Sequence, residues 1–347
     1  MDKMTVVLDN RNLSVSLDAK ALRIDCPGRP VQRIPMGMVG QVVVYGNIPV
    51  DTNVWRALSE NGIPAVLFPS RGSGAPAWMG PGISTSIMVR ISQFRAWDDE
   101  AVRQKTVVWL LQGKLHGMNS LLNTLGNQEA FKNNPGSALF EKTRQFLKDC
   151  RDEITLEKNI DSLRGIEGIA AKEWFGFMAG ILPKVWKFKG RNRRPPKDPA
   201  NALLSLGYTM MMSEIRKTVH ARGLDPCLGF LHAPYPGRES LVLDLAEPLR
   251  PGVDAFVLAL TNGVMSPERF TTSRSEGCRI AKEDRGIFYN SWEEWKGEWP
   301  FSIVREDEGE SSWTLDYTST KCIEKLTGIW GVPDEQSGEP PDEDPDE

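Results

Sequence analysis

The chain has 347 residues, 40% of them hydrophobic and 25% charged, a length and balance that suit about two soluble domains of ordinary size. No run of about 18 apolar residues is available to span a bilayer, and the opening Met1-Asp2-Lys3-Met4 leads into a short apolar run without a cleavage pattern, so no secretory leader is expected. The formal charge of −4 conceals a basic body: residues 334–347 hold eight acids and no Lys or Arg, and without them 42 basic residues face 38 acidic ones, which keeps a nucleic-acid partner open.

Residues 4–45 read as β. The runs Thr5-Val6-Val7-Leu8, Leu13-Ser14-Val15-Ser16-Leu17 and Gln41-Val42-Val43-Val44-Tyr45 are separated by Asp9-Asn10, Asp18-Ala19 and Cys26-Pro27-Gly28, so a compact antiparallel arrangement is expected. A short helix fits from Asp51, as N-cap, to Asn61-Gly62. A strand from Pro64 to Phe68 follows, then a Gly-, Ser- and Pro-rich loop from Ser70 to Gly82. From about Trp97 the periodicity turns helical, over Ala101–Leu122, Ser137–Cys150 and the long stretch Asp152–Leu182, and helices dominate as far as Gly263. A strand is expected near Gly286–Tyr289. Trp292, Trp295 and Trp299 have helical spacing and are expected in the core. From Pro333 the chain is Pro-rich and acidic and cannot bury enough apolar surface to fold alone. The five cysteines are scattered and form no CxxC pair, which points away from zinc ribbons and disulfides and toward a reduced, cytoplasmic setting. The expected fold class is α+β. An N-terminal antiparallel β domain (residues 1–95) precedes a larger, mostly α-helical catalytic domain (96–332) and a disordered acidic tail (333–347).

Several residues depart from this pattern. In the Asp152–Leu182 helix, Ile160, Leu163, Ala170, Ala171, Trp174, Met178 and Ile181 form an apolar stripe, and Glu167 occupies a slot where an aliphatic side chain belongs. A buried carboxylate is paired, protonated or metal-bound; the simplest partner is Arg164, one turn earlier. His232, one of three histidines, ends the apolar run Cys227–Leu231 at the mouth of the turn Ala233-Pro234-Tyr235-Pro236-Gly237. That position suits a ligand or base as well as a satisfied structural imidazole. If the stretch from Ser240 is helical with Ser240 as its cap, Asp244 and Glu247 lie one turn apart on one face, and Pro248 disturbs the helix beyond Glu247. A solvated acidic face is the alternative. One His with two or three carboxylates makes an N/O donor set suited to Mg²⁺ or Mn²⁺ rather than zinc. Between Lys184 and Lys197 lie seven basic residues and no acid, among them Lys187, Lys189, Arg191, Arg193, Arg194 and Lys197. Trp186 and Phe188 are interleaved, and Pro195-Pro196 enforces an extended backbone. Such a segment can neutralise phosphates and stack on an unpaired base, or be no more than a solvated loop. Tyr208 reads as helix core with a hydroxyl within reach of a phosphate. Walker, GxSxG and dinucleotide-binding patterns are missing.

Four stretches together resemble the CRISPR-associated adaptation integrase family: Leu163-Arg-Gly-Ile-Glu167-Gly-Ile-Ala-Ala, Arg191 through Tyr208, Gly223 through His232, and Ser240 through Pro251. The β pattern of the N-terminus, closing at Ile91-Ser-Gln93-Phe-Arg95, is similar too, and the likeness runs over about residues 4–330 in order. The resemblance implies that Glu167, His232 and Glu247 bind Mg²⁺ or Mn²⁺, with Asp244 beside them in support; many relatives have Asp where Glu247 stands. It further implies a metal-dependent DNA integrase and endonuclease that inserts short foreign DNA as new spacers into a CRISPR array, by 3′-hydroxyl attack on phosphodiesters. The implied partners are double-stranded DNA (captured fragment and repeat), a second copy of the chain joined through the β domain, and a small ferredoxin-fold adaptation subunit, with no membrane. Two other functions fit the same residues. One is a stand-alone structure-selective nuclease of DNA repair; the other is a non-enzymatic DNA-binding scaffold whose carboxylates are only ion pairs.

Overall fold

The computed structural model describes residues 4–69, 77–79, 87–127, 137–193, 195–274, 276–300 and 313–332. The acidic tail and Arg194 lie outside them, as does most of the loop expected over Ser70–Gly82.

The N-terminal part holds two sheets. Strands β2 (Ser14–Asp18), β3 (Ala21–Asp25) and β4 (Gln32–Pro35) form an antiparallel meander, as expected. The second sheet is mixed, in the order β1 (Met4–Leu8), β5 (Val39–Tyr45), β6 (Ala65–Phe68), β7 (Ala77–Met79). Its β1–β5 and β5–β6 pairs are parallel and its β6–β7 pair antiparallel. Helix α1 (Thr52–Glu60) provides the crossover between parallel β5 and β6, and Asp51 caps it by accepting from the Asn53 N–H at 3.0 Å.

The unbroken apolar run Val42-Val43-Val44 follows from burial on both faces of β5. Val42 and Val44 join Val6, Leu8, Leu22, Ile24 and Leu58 in the N-terminal core, whereas Val43 points the other way, into the core of the helical part. Gln41, also buried, donates from that face to the Ser213 hydroxyl. The β-rich part is thus packed onto the helices through a full sheet face.

The remainder is mostly helical: α2 (Ile87–Asp98), α3 (Glu100–Gly126), α4 (Ser137–Leu156), α5 (Ile160–Ile181), α6 (Pro199–Ala221), α7 (Ser240–Ala259), α8 (Arg285–Gly297) and α9 (Leu315–Ile329), with a hairpin of β8 (Phe270–Ser273) and β9 (Gly277–Ile280). Three expectations change. The Asp152–Leu182 stretch breaks into two helices at residues 157–159, where the Asn159 side chain accepts from the Asp161 and Ser162 N–H groups and starts α5. Residues 286–289 belong to helix α8 instead of a strand, with Phe288, Tyr289 and Trp292 on its buried side. Ile91–Arg95, expected to close the β pattern, is helical as part of α2, which runs through position 95.

Helix α7 is the hub of the core. Nearly every residue from Ser240 to Leu258 is buried, and the helix continues through both Pro248 and Pro251. Each proline withholds an amide hydrogen from the carbonyl four residues back, those of Asp244 and Glu247. Packing compensates. Helix α3 crosses α7 at Gly117, where a Cβ would lie 2.9 Å from Cγ of Pro251. On the other sides a Cβ at Gly207 of α6 would stand 2.7 Å from Val253, and one at Gly252 would stand 2.2 Å from the Trp299 ring.

Candidate metal centre and nucleic-acid surface

Glu167 of α5 and Glu247 of α7 are 80 positions apart in the chain and meet at one point. Between them stands Lys114 of α3, whose ammonium donates to Glu167 Oε1 and to Glu247 Oε2, the latter at 2.6 Å. The two carboxylate oxygens therefore lie within two hydrogen-bond lengths of each other. Lys114 and Glu247 are buried, with side chains 4% exposed, while Glu167 is 26% exposed and forms the solvent side of the group. Arg164, the expected partner of Glu167, instead donates to the Leu231 carbonyl at 2.6 Å and pairs with Asp161.

Glu247 uses its second oxygen for the Arg250 guanidinium, at 2.9 Å. Burial alone would push its carboxyl up, but Arg250, Lys114 and His232 outweigh it and hold Glu247 well below the usual carboxylate range. Arg250 in turn packs 4.9 Å from the ring centre of Tyr208, with Arg191 at 5.4 Å from the same ring. The Tyr208 hydroxyl donates to Asp254, which also accepts from Trp174 Nε1 at 2.7 Å. Burial first, relieved in part by these two donors, raises the Asp254 carboxyl to about 6.

His232 is positioned by Asp244. The fully buried Asp244 carboxylate accepts the backbone N–H groups of Phe230, Leu231 and His232, and takes the His232 Nδ1–H at 2.7 Å. That contact holds the ring by its Nδ1 and leaves Nε2 on the side away from Asp244. The loop lies so close on α7 because residue 229 is glycine; a Cβ there would be 2.6 Å from the Ser240 carbonyl carbon. Ser240 itself is not the cap. The cap position is Glu239, whose side chain pairs with Arg216, and the Ser240 hydroxyl donates to the Ala233 carbonyl at 3.1 Å.

The four residues thus form two pairs, Glu167 with Glu247 across Lys114, and His232 with Asp244 directly; Asp244 and Glu247 share helix α7. Among the described residues no three His, Cys, Asp or Glu side chains stand together as a ready-made cluster; Lys114 stands between the two carboxylates, and Arg250 holds the outer oxygen of Glu247. The donor chemistry nevertheless fits a hard divalent ion: two carboxylates aimed at one cation position, and an imidazole nitrogen free on a loop tied to the same helix. Sequence reasoning missed Lys114, Arg250 and Asp254. Lys114 carried a signal, since it interrupts the buried stripe Leu110, Leu111, Leu115, Met118 as Glu167 interrupts its own.

The basic segment follows α5 directly. Trp186 and Phe188 are buried, with Trp186 edge-on to Phe270 at 6.0 Å. They anchor the loop and offer no face to a base, which overturns that expectation. The alternation leaves Lys187 and Lys189 exposed, as are Arg193 and Lys197. Arg191 turns inward, donating to the Asn201 Oδ1 at 2.9 Å and the Ser205 hydroxyl at 3.1 Å, and burial lowers its pKa to about 10. Asp198 caps α6 through the Asn201 N–H at 2.8 Å, and the Cys278 N–H donates to the Pro196 carbonyl at 2.8 Å, so both ends of the segment are held.

A family model described as CRISPR associated protein Cas1 matches residues 6–294. The CRISPR-associated endonuclease Cas1 1 of Thermodesulfovibrio yellowstonii is 30% identical over 293 residues, covering 84% of this chain and 91% of that protein. Among solved structures, a casposase bound to integration product has a TM-score of 0.76 at 21% identity, over 96% of this chain and 92% of that one. A Cas6-RT-Cas1–Cas2 complex has a TM-score of 0.78 at 21% identity, over 95% of this chain and 35% of that one. These last two likenesses are of fold.

Proposed function

The chain belongs to the CRISPR-associated Cas1 family, and from that premise we propose that it is a divalent-metal-dependent DNA integrase and endonuclease that inserts short captured DNA into a CRISPR array. The observation that carries the reading is the convergence of Glu167 and Glu247, from two helices, on a single buried cation position. Relatives that bear the name endonuclease, and a solved casposase with its integration product, supply the reaction class.

Glu167, Glu247 and His232 Nε2 would hold Mg²⁺ or Mn²⁺. When bound, the ion supplies Lewis-acid polarisation of a phosphoryl oxygen and offsets negative charge that builds up during displacement. Asp244 keeps the His232 ring oriented. Lys187, Lys189, Arg193 and Lys197, with Arg194 between them in sequence, neutralise phosphates of the duplex next to the centre. In joining, the 3′-hydroxyl oxygen of the captured strand bonds to a target phosphorus as the P–O3′ bond of the target breaks, and the released 3′ oxygen takes up a proton. With water as the nucleophile the same geometry cuts. Residues 1–95 would pair two copies of the chain, residues 96–332 would carry the chemistry, and residues 333–347 would extend from it. Two attack sites on one DNA would be served by two active sites, and a solved complex whose name joins Cas1 with Cas2 is a precedent for a second adaptation subunit, here proposed to be small and of ferredoxin fold. None of the helices among the described residues is long and apolar enough to cross a membrane.

The test is a joining assay with supercoiled plasmid carrying a repeat array and short duplexes ending in a 3′-hydroxyl or a blocked 3′ end. Plasmid-linked product only with the 3′-hydroxyl, and only with Mg²⁺ or Mn²⁺, is the expected result. Equal nicking with both duplexes would leave a stand-alone nuclease. Metal-independent binding with no cutting would leave a scaffold.

A further inference from the structure

We infer that Lys114 is a positioning residue: in the metal-free protein its ammonium stands at the place of the divalent ion and holds Glu167 and Glu247 on one point until the ion replaces it. The inference rests on the reading that these carboxylates bind a metal.

Three observations carry it. First, Lys114 is buried on the core-facing side of α3, among Leu110, Leu111, Leu115 and Met118, where an ammonium is tolerated only when fully paired. Its two carboxylate contacts go to different helices, so the ammonium ties the two acids to one point. Second, the two carboxylates already have a cation each: Glu167 and Glu247 are matched by Lys114 and Arg250. A dication cannot share one point between the carboxylates with an ammonium of like charge, so the ammonium has to yield. Third, the two cations are held differently. Arg250 is packed on the Tyr208 ring and reaches one Glu247 oxygen from outside the pair, whereas Lys114 lies between the carboxylates on a flexible stem. A small ion binding both carboxylates needs the position of Lys114 and not that of Arg250.

The device has a purpose in energetic terms. Two ionised carboxylates brought together without a cation repel, and a centre left in that state would splay apart. The ammonium keeps it assembled, at the expense of competing with the ion.

The test compares wild type, Lys114→Met, Lys114→Arg and Glu167→Gln as full chains, in EDTA and in saturating MnCl₂, by thermal melting and by Mn²⁺ titration followed through the spin-resonance signal of free Mn²⁺. Lys114→Met is expected to melt lower than wild type in EDTA, to gain more from Mn²⁺ than wild type does, and to bind Mn²⁺ about tenfold more tightly, because no charge-assisted hydrogen bonds must be broken first. Lys114→Arg, which keeps the charge, should follow wild type. If Lys114→Met does not fold, Lys114→Gln reads the same quantities. An unchanged or weaker Mn²⁺ affinity in the neutral variant, with wild-type binding intact, overturns the inference alone. A wild type that binds no Mn²⁺, or binding untouched by Glu167→Gln, overturns the metal reading and the inference together.

Discussion

Asp254 gives the most quantitative consequence of the buried network. Its carboxyl is raised from 3.8 to about 6, through burial against the help of Tyr208 and Trp174. Between those values the unfolded chain sheds the proton that the folded chain retains, so the folded state binds more protons and stability falls as pH rises. The contribution is fully present below pH 3.8 and lost as pH passes about 6. A gap of about two pKa units at about 1.4 kcal/mol each amounts to about 3 kcal/mol. Asp254→Asn cannot ionise. It leaves one of the two donors facing an amide NH₂, a pH-independent cost of about 1–3 kcal/mol. The difference in stability between wild type and Asp254→Asn should therefore shift by about 3 kcal/mol in favour of the variant from pH 3.8 to pH 7. Guanidinium chloride unfolding, followed by tryptophan fluorescence across this range, measures it. Parallel stability–pH curves for the two proteins would refute the assignment of the raised pKa to Asp254.

Removing any one of the proposed ligands, by Glu167→Ala, His232→Ala or Glu247→Ala, should abolish Mn²⁺-dependent joining, a loss of at least about a hundredfold, while duplex binding in a gel-shift assay persists. Neutralising Lys187, Lys189, Arg193 and Lys197 together should weaken duplex binding and reduce the slope of log K against log salt by about 0.9 for each phosphate no longer neutralised; an unchanged slope would remove the segment from the interface. Arg191→Ala, by contrast, deletes an inward-facing group and should lower the melting temperature at least as clearly as it affects DNA affinity. Gly117→Ala forces a Cβ against the Pro251 ring and should destabilise the protein by about 1–3 kcal/mol in denaturant melts.

Much of this architecture can be read from the chain before any coordinates. The 3.6 period of α5 exposes Glu167 as a misplaced charge, and Asp51, Asn61 and Gly62 bracket α1 correctly. What escapes is whatever depends on distant segments. Arg164 is the natural local partner of Glu167, yet the partner is Lys114, supplied by the approach of α3. The parallel β1–β5 pair is invisible to hairpin logic, although the unbroken run Val42-Val43-Val44 signals a strand buried on both faces. Ile287-Phe288-Tyr289 has a strand's composition in so short a window, and only the continuation to Trp292 at helical spacing reveals α8. Trp186 and Phe188, set among lysines, look available for stacking; burial uses them as anchors. The proposed ligands and their positions in the chain come from residue type and family resemblance, but Asp244 as the holder of the His232 loop becomes visible only when three amide hydrogens are seen to point at it.

The two prolines of α7 tie the fate of the site to that of the whole domain. A segment with two interior prolines, each costing about 3 kcal/mol in an isolated helix, will not coil up by itself; it does so only when clasped by α3 and α6. Asp244 and Glu247 ride on that segment. A nascent or partly unravelled copy therefore cannot bring the Glu247 carboxylate to Lys114, or the His232 loop to Asp244, and the arrangement of the site arrives only with the finished fold.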